Sequence, residues 1–428
     1  MAAPISVPRR SDLLDKMSRA NRFAWVLLFF EIIALAIVAA FIDWKWVEKE
    51  PVLTAVAICF AVGSFATSIA RSIITKKVRI QDLKETTKFG QFDKYRLESL
   101  YRDTLLKLGL PDDGLSVYVI GGRSVNAMAM HWGLGRLFKS LNGIYLNRQS
   151  LHKLEPVEIQ DLMGHELGHY YRHYLVIDRF RIVTIALGAL IGLLAVQRVG
   201  FGMYGYFILA TIQSLFWWLS AIPHSLNSQT IEYLCDDYGA QVGGVLPSIH
   251  GLLKLGLDAE VQCVVTQQAI LSKVAGNLNP SELIDAIETS IPYGHASRAE
   301  IEDKVNRELR ARAAGQTMSL TGFFKYIWNS ESEENAAVEM AEVAKKIRKL
   351  QSEPRLNWEA LLPHPNRVEL DVNRTRDLVA LIESRPEEHL FRIPENPDDS
   401  HPPLRLRILY LWHNRNEIPA PGGGTAAR

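Results

Sequence analysis

A chain of 428 residues is long enough for two or three domains with a sizeable buried core. Its formal charge of +1 argues against a general nucleic-acid binder. Three cysteines, one of them inside an apolar run, exclude a disulfide framework and fit a reducing compartment.

Residues 1–22 are basic, with Arg9, Arg10, Lys16, Arg19 and Arg22. Residues 23–42 form an apolar run long enough to cross a bilayer. It is too long for the core of a cleavable signal peptide, and a second run, 52–74, follows directly. Glu31 sits near the middle of the first run, where a charge is costly; it either bonds to another span or faces a polar groove. A third run, 182–196, is short for a span. The fourth, 203–222, carries Trp217 and Trp218 near its end, where an interfacial belt would put them. Only six residues separate the third and fourth, so they predict a hairpin, spanning rather than re-entrant.

Arg71, Lys76, Lys77, Arg79 and Lys84 close the second run, while the link between the first two offers only Lys45 and Lys49. The positive-inside rule therefore puts the N-terminus and the segment after Arg71 on the cytosolic face. The even pair of later spans returns the chain to that face. The expectation is a multi-pass protein of a bacterial cytoplasmic membrane with its catalytic domain in the cytosol.

The soluble parts predict a mainly α fold with a small β-sheet. Within 76–179, strands are expected at 115–120, before Gly121-Gly122, and at 144–146, after the turn dipeptide Asn142-Gly143. A helix starts near Glu155-Pro156 and runs through Ile159, Leu162 and Met163; Glu158, Gln160 and Asp161 make it amphipathic rather than membrane-embedded. Residues 223–256 continue the soluble domain. Residues 257–399 read as a helical insertion, charged and helical in pattern over 280–352, with a proline-rich loop at 394–403. Residues 400–418 form a last helix, and 419–428 a disordered tail.

The chemistry is concentrated in His165-Glu166-Leu167-Gly168-His169. Histidines four apart lie on one helical face and can aim at a single metal ion. Glu166 is about a hundred degrees round the helix, where a general base stands close to the metal without ligating it. This motif points to a zinc hydrolase, foremost a peptidase. Catalytic zinc takes three protein ligands and keeps one position open. His173 is one turn too far along, a rise of about 6 Å, and is read as a surface residue. Arg172 and Leu175 exclude the extended three-histidine motif. Glu232 and Asp236 share a face in an otherwise apolar segment. They suit a carboxylate ligand with a second carboxylate behind it to hold a histidine, a supporting role open to Asp236 or Asp237. Cys235, between them, reads as a small core residue.

The order of these features resembles the HtpX-like membrane zinc metallopeptidases, relatives of the CAAX prenyl proteases. That pattern has H-E-x-x-H after two spans, a hydrophobic hairpin, then E-x-x-x-D and a glycine-alanine pair, here Glu232, Asp236 and Gly239-Ala240. Val125-Asn126-Ala127-Met128-Ala129 is similar to the family's N-A-x-A edge strand, and the stretch from His401 through Arg407-Ile408 to its H-P-x-x-x-x-R-I segment. His364 and His295 are weaker candidates for that histidine. The resemblance implies one zinc ion per chain on His165, His169 and Glu232, with Glu166 as base. It implies Asn126 as a hydrogen-bond donor to the substrate backbone or the oxyanion, His401 as a donor to the oxyanion, Asp236 behind a histidine, and Arg407 as anchor of Glu232. The length of 257–399 departs from the family and leaves its role open.

The resulting expectation is an endopeptidase acting on polypeptides or membrane proteins at the cytosolic membrane face, with the bilayer and no nucleic acid as its other partner. Quality control of membrane proteins follows by family analogy. Two rivals remain: an intramembrane site-two-type protease, which needs the motif inside a span, and a non-catalytic scaffold that uses zinc for folding.

Overall fold

The computed structural model describes residues 5–52, 54–59, 76–112, 115–121, 125–130, 143–173, 175–200, 202–275, 349, 353–364, 367–393 and 401–419. Most of the second apolar run, the charged pattern of 280–352 apart from residue 349, most of the proline-rich loop and the tail from 420 lie outside them. The described part is mostly helical with one small four-stranded sheet. Its elements are α1 (Arg10–Phe41), β1 (Lys77–Arg79), α2 (Lys94–Leu108), β2 (Ser116–Ile120), β3 (Ala127–Met130), β4 (Gly143–Asn147), α3 (Pro156–Leu167), α4 (Val176–Val199), α5 (Met203–Gly243), α6 (Val245–Ala275), α7 (Val372–Ser384) and α8 (Leu404–His413).

Among the described residues, three helices are long and apolar enough to span a membrane, namely α1, residues 180–199 of α4, and α5. The third run thus sits inside a helix of 24 residues, about 36 Å long and sufficient for a full crossing. Helix α5, with 41 residues, is about 60 Å long and runs through Pro223 without a break. Proline cannot supply the helical N–H, yet the chain continues; the Asn227 side chain donates to the Pro223 carbonyl at 2.8 Å. The predicted fourth span and the segment carrying Glu232 are therefore one rod. Glu31 finds a partner on a neighbouring span, accepting from the Thr184 hydroxyl at 2.8 Å.

The sheet has the order β1-β2-β4-β3, with β2 and β4 parallel and the outer pairs antiparallel. Strands β2 and β4 lie where the sequence places them; β1, only three residues long, carries too little pattern to be foreseen. Val117, Val119, Ile144 and Leu146 point from the sheet into a core shared with Leu97, Tyr101 and Leu105 of α2. Ile159, Met163 and Leu167 of α3 complete it, each fully buried at spacing four and each contributing about 1.5–3 kcal/mol. Helix α3 starts with Pro156 at its first position and a reciprocal capping box between Glu155 and Glu158. Its polar flank is not solvated, as amphipathicity would suggest. Glu158 pairs with Lys254 of α6 at 2.7 Å, and Gln160 donates to Asp103 of α2 at 2.6 Å, so these groups are buried in partnerships.

On its other side α3 lies against α5. A Cβ on Gly164 would stand 3.1 Å from Gly239 Cα, one on Gly168 3.1 Å from Cys235 Sγ, and one on Gly239 2.7 Å from the Asp161 carbonyl. The pairing runs 164 with 239 and 168 with 235, so the helices are antiparallel and meet backbone to backbone. A second core lies beyond α5, built from Ile231, Leu234, Leu253, Leu257, Leu356, Trp358, Leu378, Phe391 and Ile408. The basic end of α1 joins it through Leu13 and Met17, while Arg10 Nε donates to the fully buried Asp237 at 2.7 Å. Asn21 accepts from the Val176 N–H at 2.9 Å. The start of the first membrane helix is thereby part of the soluble domain.

Gly239→Ala should lower stability by about 1–3 kcal/mol, because the new methyl meets the α3 backbone rather than a side chain that can swing away. Thermal unfolding in detergent followed by circular dichroism checks it; an unchanged Tm would mean the two helices separate freely.

Candidate metal centre

Helix α3 delivers His165 and Glu166, both buried, with the base-candidate Glu166 only 5% exposed. The regular α-helix ends at Leu167 and widens over Gly168–Arg172 into a π-turn, where the His173 N–H bonds the Gly168 carbonyl at 2.7 Å. His169 lies in that wider turn. From the antiparallel α5, Glu232 and Asp236 face the motif. The glycine seam between the two backbones is what brings their carboxylates within reach.

His165 Nε2 and His169 Nε2 are 3.2 Å apart. Glu232 Oε1 is 3.3 Å from His169 Nε2, and Oε2 is 3.6 Å from His165 Nε2. Ligands bound at about 2.0–2.1 Å in a tetrahedron are separated by about 3.3–3.4 Å, and the two nitrogens and the Glu232 carboxylate, one oxygen facing each, lie close to that spacing. Glu232 Oε2 is buried with no hydrogen-bond partner among the described residues, an orphaned acceptor of the kind a cation satisfies. The two nitrogens and one carboxylate fit the metal that the sequence implies, and they form a cluster able to hold an ion.

The tautomer of His165 is set from behind. Its Nδ1 faces Asp236 Oδ1 at 3.0 Å; an ionised carboxylate only accepts, so Nδ1 carries the proton and Nε2 keeps a lone pair for the metal. Asp236 is itself held by Arg407 of α8, whose Nε donates to Oδ2 at 2.7 Å and whose Nη2 donates to Oδ1. Of the two aspartates left open by the sequence, Asp236 takes the supporting position, and Asp237 is turned to Arg10. The expected role of Arg407 changes: it clamps the second carboxylate, not Glu232. Its five donors in a fixed fork suit the two oxygens of a carboxylate that already receives a histidine N–H.

Three further residues differ from, or add to, the sequence reading. His173 is not on the surface: it is 6% exposed, with its ring edge-on to Tyr238 at 5.7 Å. Burial and the charge of Arg172 push its pKa down to about 3. Asp161, beside the glycine seam, is raised to about 7 by burial against the opposing Ser248 hydrogen bond, with Asp236 adding to the rise. Cys235 is fully buried, as a core residue would be, and its thiol lies beside His169, the charge of which acts on it. Both motif histidines thus have a neighbour on α5. The only advance sign of the second is the E-x-x-C-D spacing, which puts residue 235 one turn from Glu232.

Two other candidates arrive from distant parts of the chain. His401, in the segment leading into α8, has Nε2 3.5 Å from Glu232 Oε1 while its side chain stays 63% exposed. Asn126 immediately precedes the edge strand β3, which packs against α3 and the π-turn. Its Oδ1 accepts from the Ala127 N–H at 2.8 Å, so its exposed side chain offers its amide N–H groups outward. His364 shares a β-bridge with Arg367 and carries no contact to the centre among the described residues; His295 lies outside them.

Two histidines one turn apart and a carboxylate from a second helix as donors, with a glutamate beside the first histidine, are the arrangement of an H-E-x-x-H metallopeptidase. Residues 92–248 match the model of peptidase family M48, which includes HtpX and relatives of the CAAX prenyl protease. The match spans α2 to the start of α6 and contains the four residues Glu166, His165, His169 and Glu232. Comparisons with curated proteins and with solved structures gave no match. An M48 peptidase domain joined to apolar helices points to a membrane-associated metallopeptidase.

Removing Arg407 strands a buried charge, so Arg407→Ala should cost about 3–5 kcal/mol of stability and loosen His165. Asp236→Asn, which can no longer anchor both partners, should weaken zinc affinity about 10–100-fold. Chelator competition on the purified variants measures this; wild-type affinity in both would remove Asp236 and Arg407 from the metal site.

Proposed function

We propose that the protein is a membrane-bound zinc endopeptidase that cleaves polypeptides, membrane proteins among them, at the cytosolic face of the membrane. The observation carrying this reading is the convergence of His165, His169 and Glu232 at tetrahedral spacing beside Glu166. Zinc bound there would polarise the scissile carbonyl and acidify the attacking water.

The chain's own residues supply the remainder. Glu166 takes the proton of the attacking water and later delivers it to the leaving amine, a role worth about 10²–10⁴-fold in rate. Asn126 and His401 donate hydrogen bonds to the oxygen that gains negative charge, which preorganised groups stabilise by a few kcal/mol. His165 is kept from rotating by Asp236 and Arg407, so its lone pair stays aimed during turnover. The outer edge of β3, which has no strand partner among the described residues, runs beside the motif and would offer its backbone groups to an extended polypeptide.

The intramembrane alternative finds no support, because α3 packs between a β-sheet core and the soluble end of α5 rather than inside an apolar span. The scaffold alternative is tested by Glu166→Gln. This variant should retain zinc and fold while losing cleavage of an unstructured substrate such as β-casein by at least about 100-fold. Retained cleavage would overturn the mechanism, and absence of cleavage by zinc-loaded wild type would favour the scaffold.

The orientation rests on the basic clusters at 9–22 and 71–84. Packing of Arg10, Leu13 and Met17 against the soluble domain supports placing the N-terminus and the metal centre on one side. With Cys59 and Cys263 replaced and the buried Cys235 kept, cysteines are introduced at the exposed Ser99 and Lys45. An impermeant thiol reagent on intact cells should label position 45 and spare position 99. Labelling at 99 would reverse the orientation.

A further inference from the structure

Helix α6 lies almost wholly beyond the residues that match the M48 model, yet one of its side chains reaches back to the strand beside the metal centre. Asp258 Oδ2 accepts from the Val125 backbone N–H at 2.9 Å, and the residue is 2% exposed. Lys153 Nζ is 3.8 Å from the other oxygen and offsets part of the buried charge. A carboxylate accepting a backbone N–H away from water makes a bond about twice as strong as a neutral one.

Val125 is the last residue before Asn126. The Asn126 backbone is fixed in turn by the fully buried Ser150, whose Oγ accepts from the Asn126 N–H and donates to its carbonyl, each at 2.8 Å. The Val125 side chain is buried in the sheet core, so the chain is gripped on both sides of its peptide. What this grip presents is the exposed Asn126 side chain and the edge of β3, which has no strand partner among the described residues. Neither needs Asp258 to exist, but both need it to stand in one place.

We propose that Asp258 is a positioning residue for substrate: by holding the entry to β3, it sets the Asn126 amide and the open strand edge against the metal centre. The segment following the peptidase domain would then take part in substrate engagement indirectly, through the strand entry it holds. This inference rests on the peptidase reading given above. Asp258 touches neither metal nor substrate and acts through Asn126.

The test is a double-mutant cycle on the full-length, zinc-loaded protein in detergent, with β-casein as probe. Wild type and Glu166→Gln come first: cleavage by the former alone establishes the peptidase reading independently. Asp258→Leu, which keeps the volume and removes the acceptor, should lower kcat/KM about 10–100-fold at unchanged zinc affinity by chelator competition. Asp258→Asn, which keeps an acceptor oxygen, should restore most of that loss. Asn126→Ala combined with Asp258→Leu should be little worse than Asn126→Ala alone, because both remove one function. Should Asp258→Leu fail to give folded zinc-loaded protein, the cycle is run with Asp258→Ser, whose shorter side chain falls short of Val125. Losses that multiply in the double variant, or wild-type kcat/KM in a variant lacking the acceptor, would overturn the proposal while leaving the peptidase reading intact. A fall in zinc affinity equal to the fall in kcat/KM would make Asp258 a structural residue only.

Discussion

The close antiparallel approach of α3 and α5 is the constraint on which the rest depends. Packed helices ordinarily keep their axes 8–10 Å apart, the distance being set by the side chains between them. Here Gly164, Gly168 and Gly239 take side chains out of that space, and backbone meets backbone. A glutamate side chain is short, and Glu232 must cross from one helix to the histidines of the other. With bulkier residues at the seam, its carboxylate would stop short of the tetrahedral corner it occupies. Gly239 is thus a geometric requirement of the donor set, while its neighbour Ala240 packs into the second core.

Around that seam the charges are arranged in layers. Glu232 faces the metal position; Asp236 stands one turn away and is neutralised by Arg407 from α8; Asp237 turns to the far side and is met by Arg10 from α1. Three successive acids on one helix would repel one another if left together. Each is instead paired with a cation or a histidine from a different part of the chain. The result ties the first membrane helix, the peptidase core and the last helix into one buried electrostatic network, in which loss of any one cation leaves an uncompensated charge.

Much of the centre was legible because it is local. The histidine spacing, the carboxylates four apart and the proline-started helices are patterns within ten residues, and side-chain periodicity translates them directly into faces. The strands at 116–120 and 143–147 announced themselves through β-branched and aromatic runs next to glycines. What escaped is non-local. The partners of Arg407 and Arg10 lie 171 and 227 residues away, and no periodicity encodes such a distance. A regular helix would leave His173 on the surface; the π-turn at Gly168–Arg172 carries it inward onto Tyr238 instead. Asp258 gave no signal at all, since a lone aspartate in an apolar helix has the same sequence appearance whether it caps a strand or binds a cation.

Helix α5 has one mechanical peculiarity. Pro223 interrupts its ladder of hydrogen bonds where the apolar stretch gives way to the soluble end, and Glu232 lies nine residues further on, about 13 Å along the axis. Elsewhere in the rod, bending breaks a bond; here one is already missing, so compliance is concentrated at a single joint. A flexure of about 10° at that joint displaces a point 13 Å away by about 2 Å, the length of a metal–ligand bond. Helices in bilayers tilt to match their apolar length to the local thickness of the hydrocarbon. With α5 seated in a bilayer, membrane thickness and lateral pressure would act on this joint as loads on a lever, with the glycine seam as the clamp at its working end.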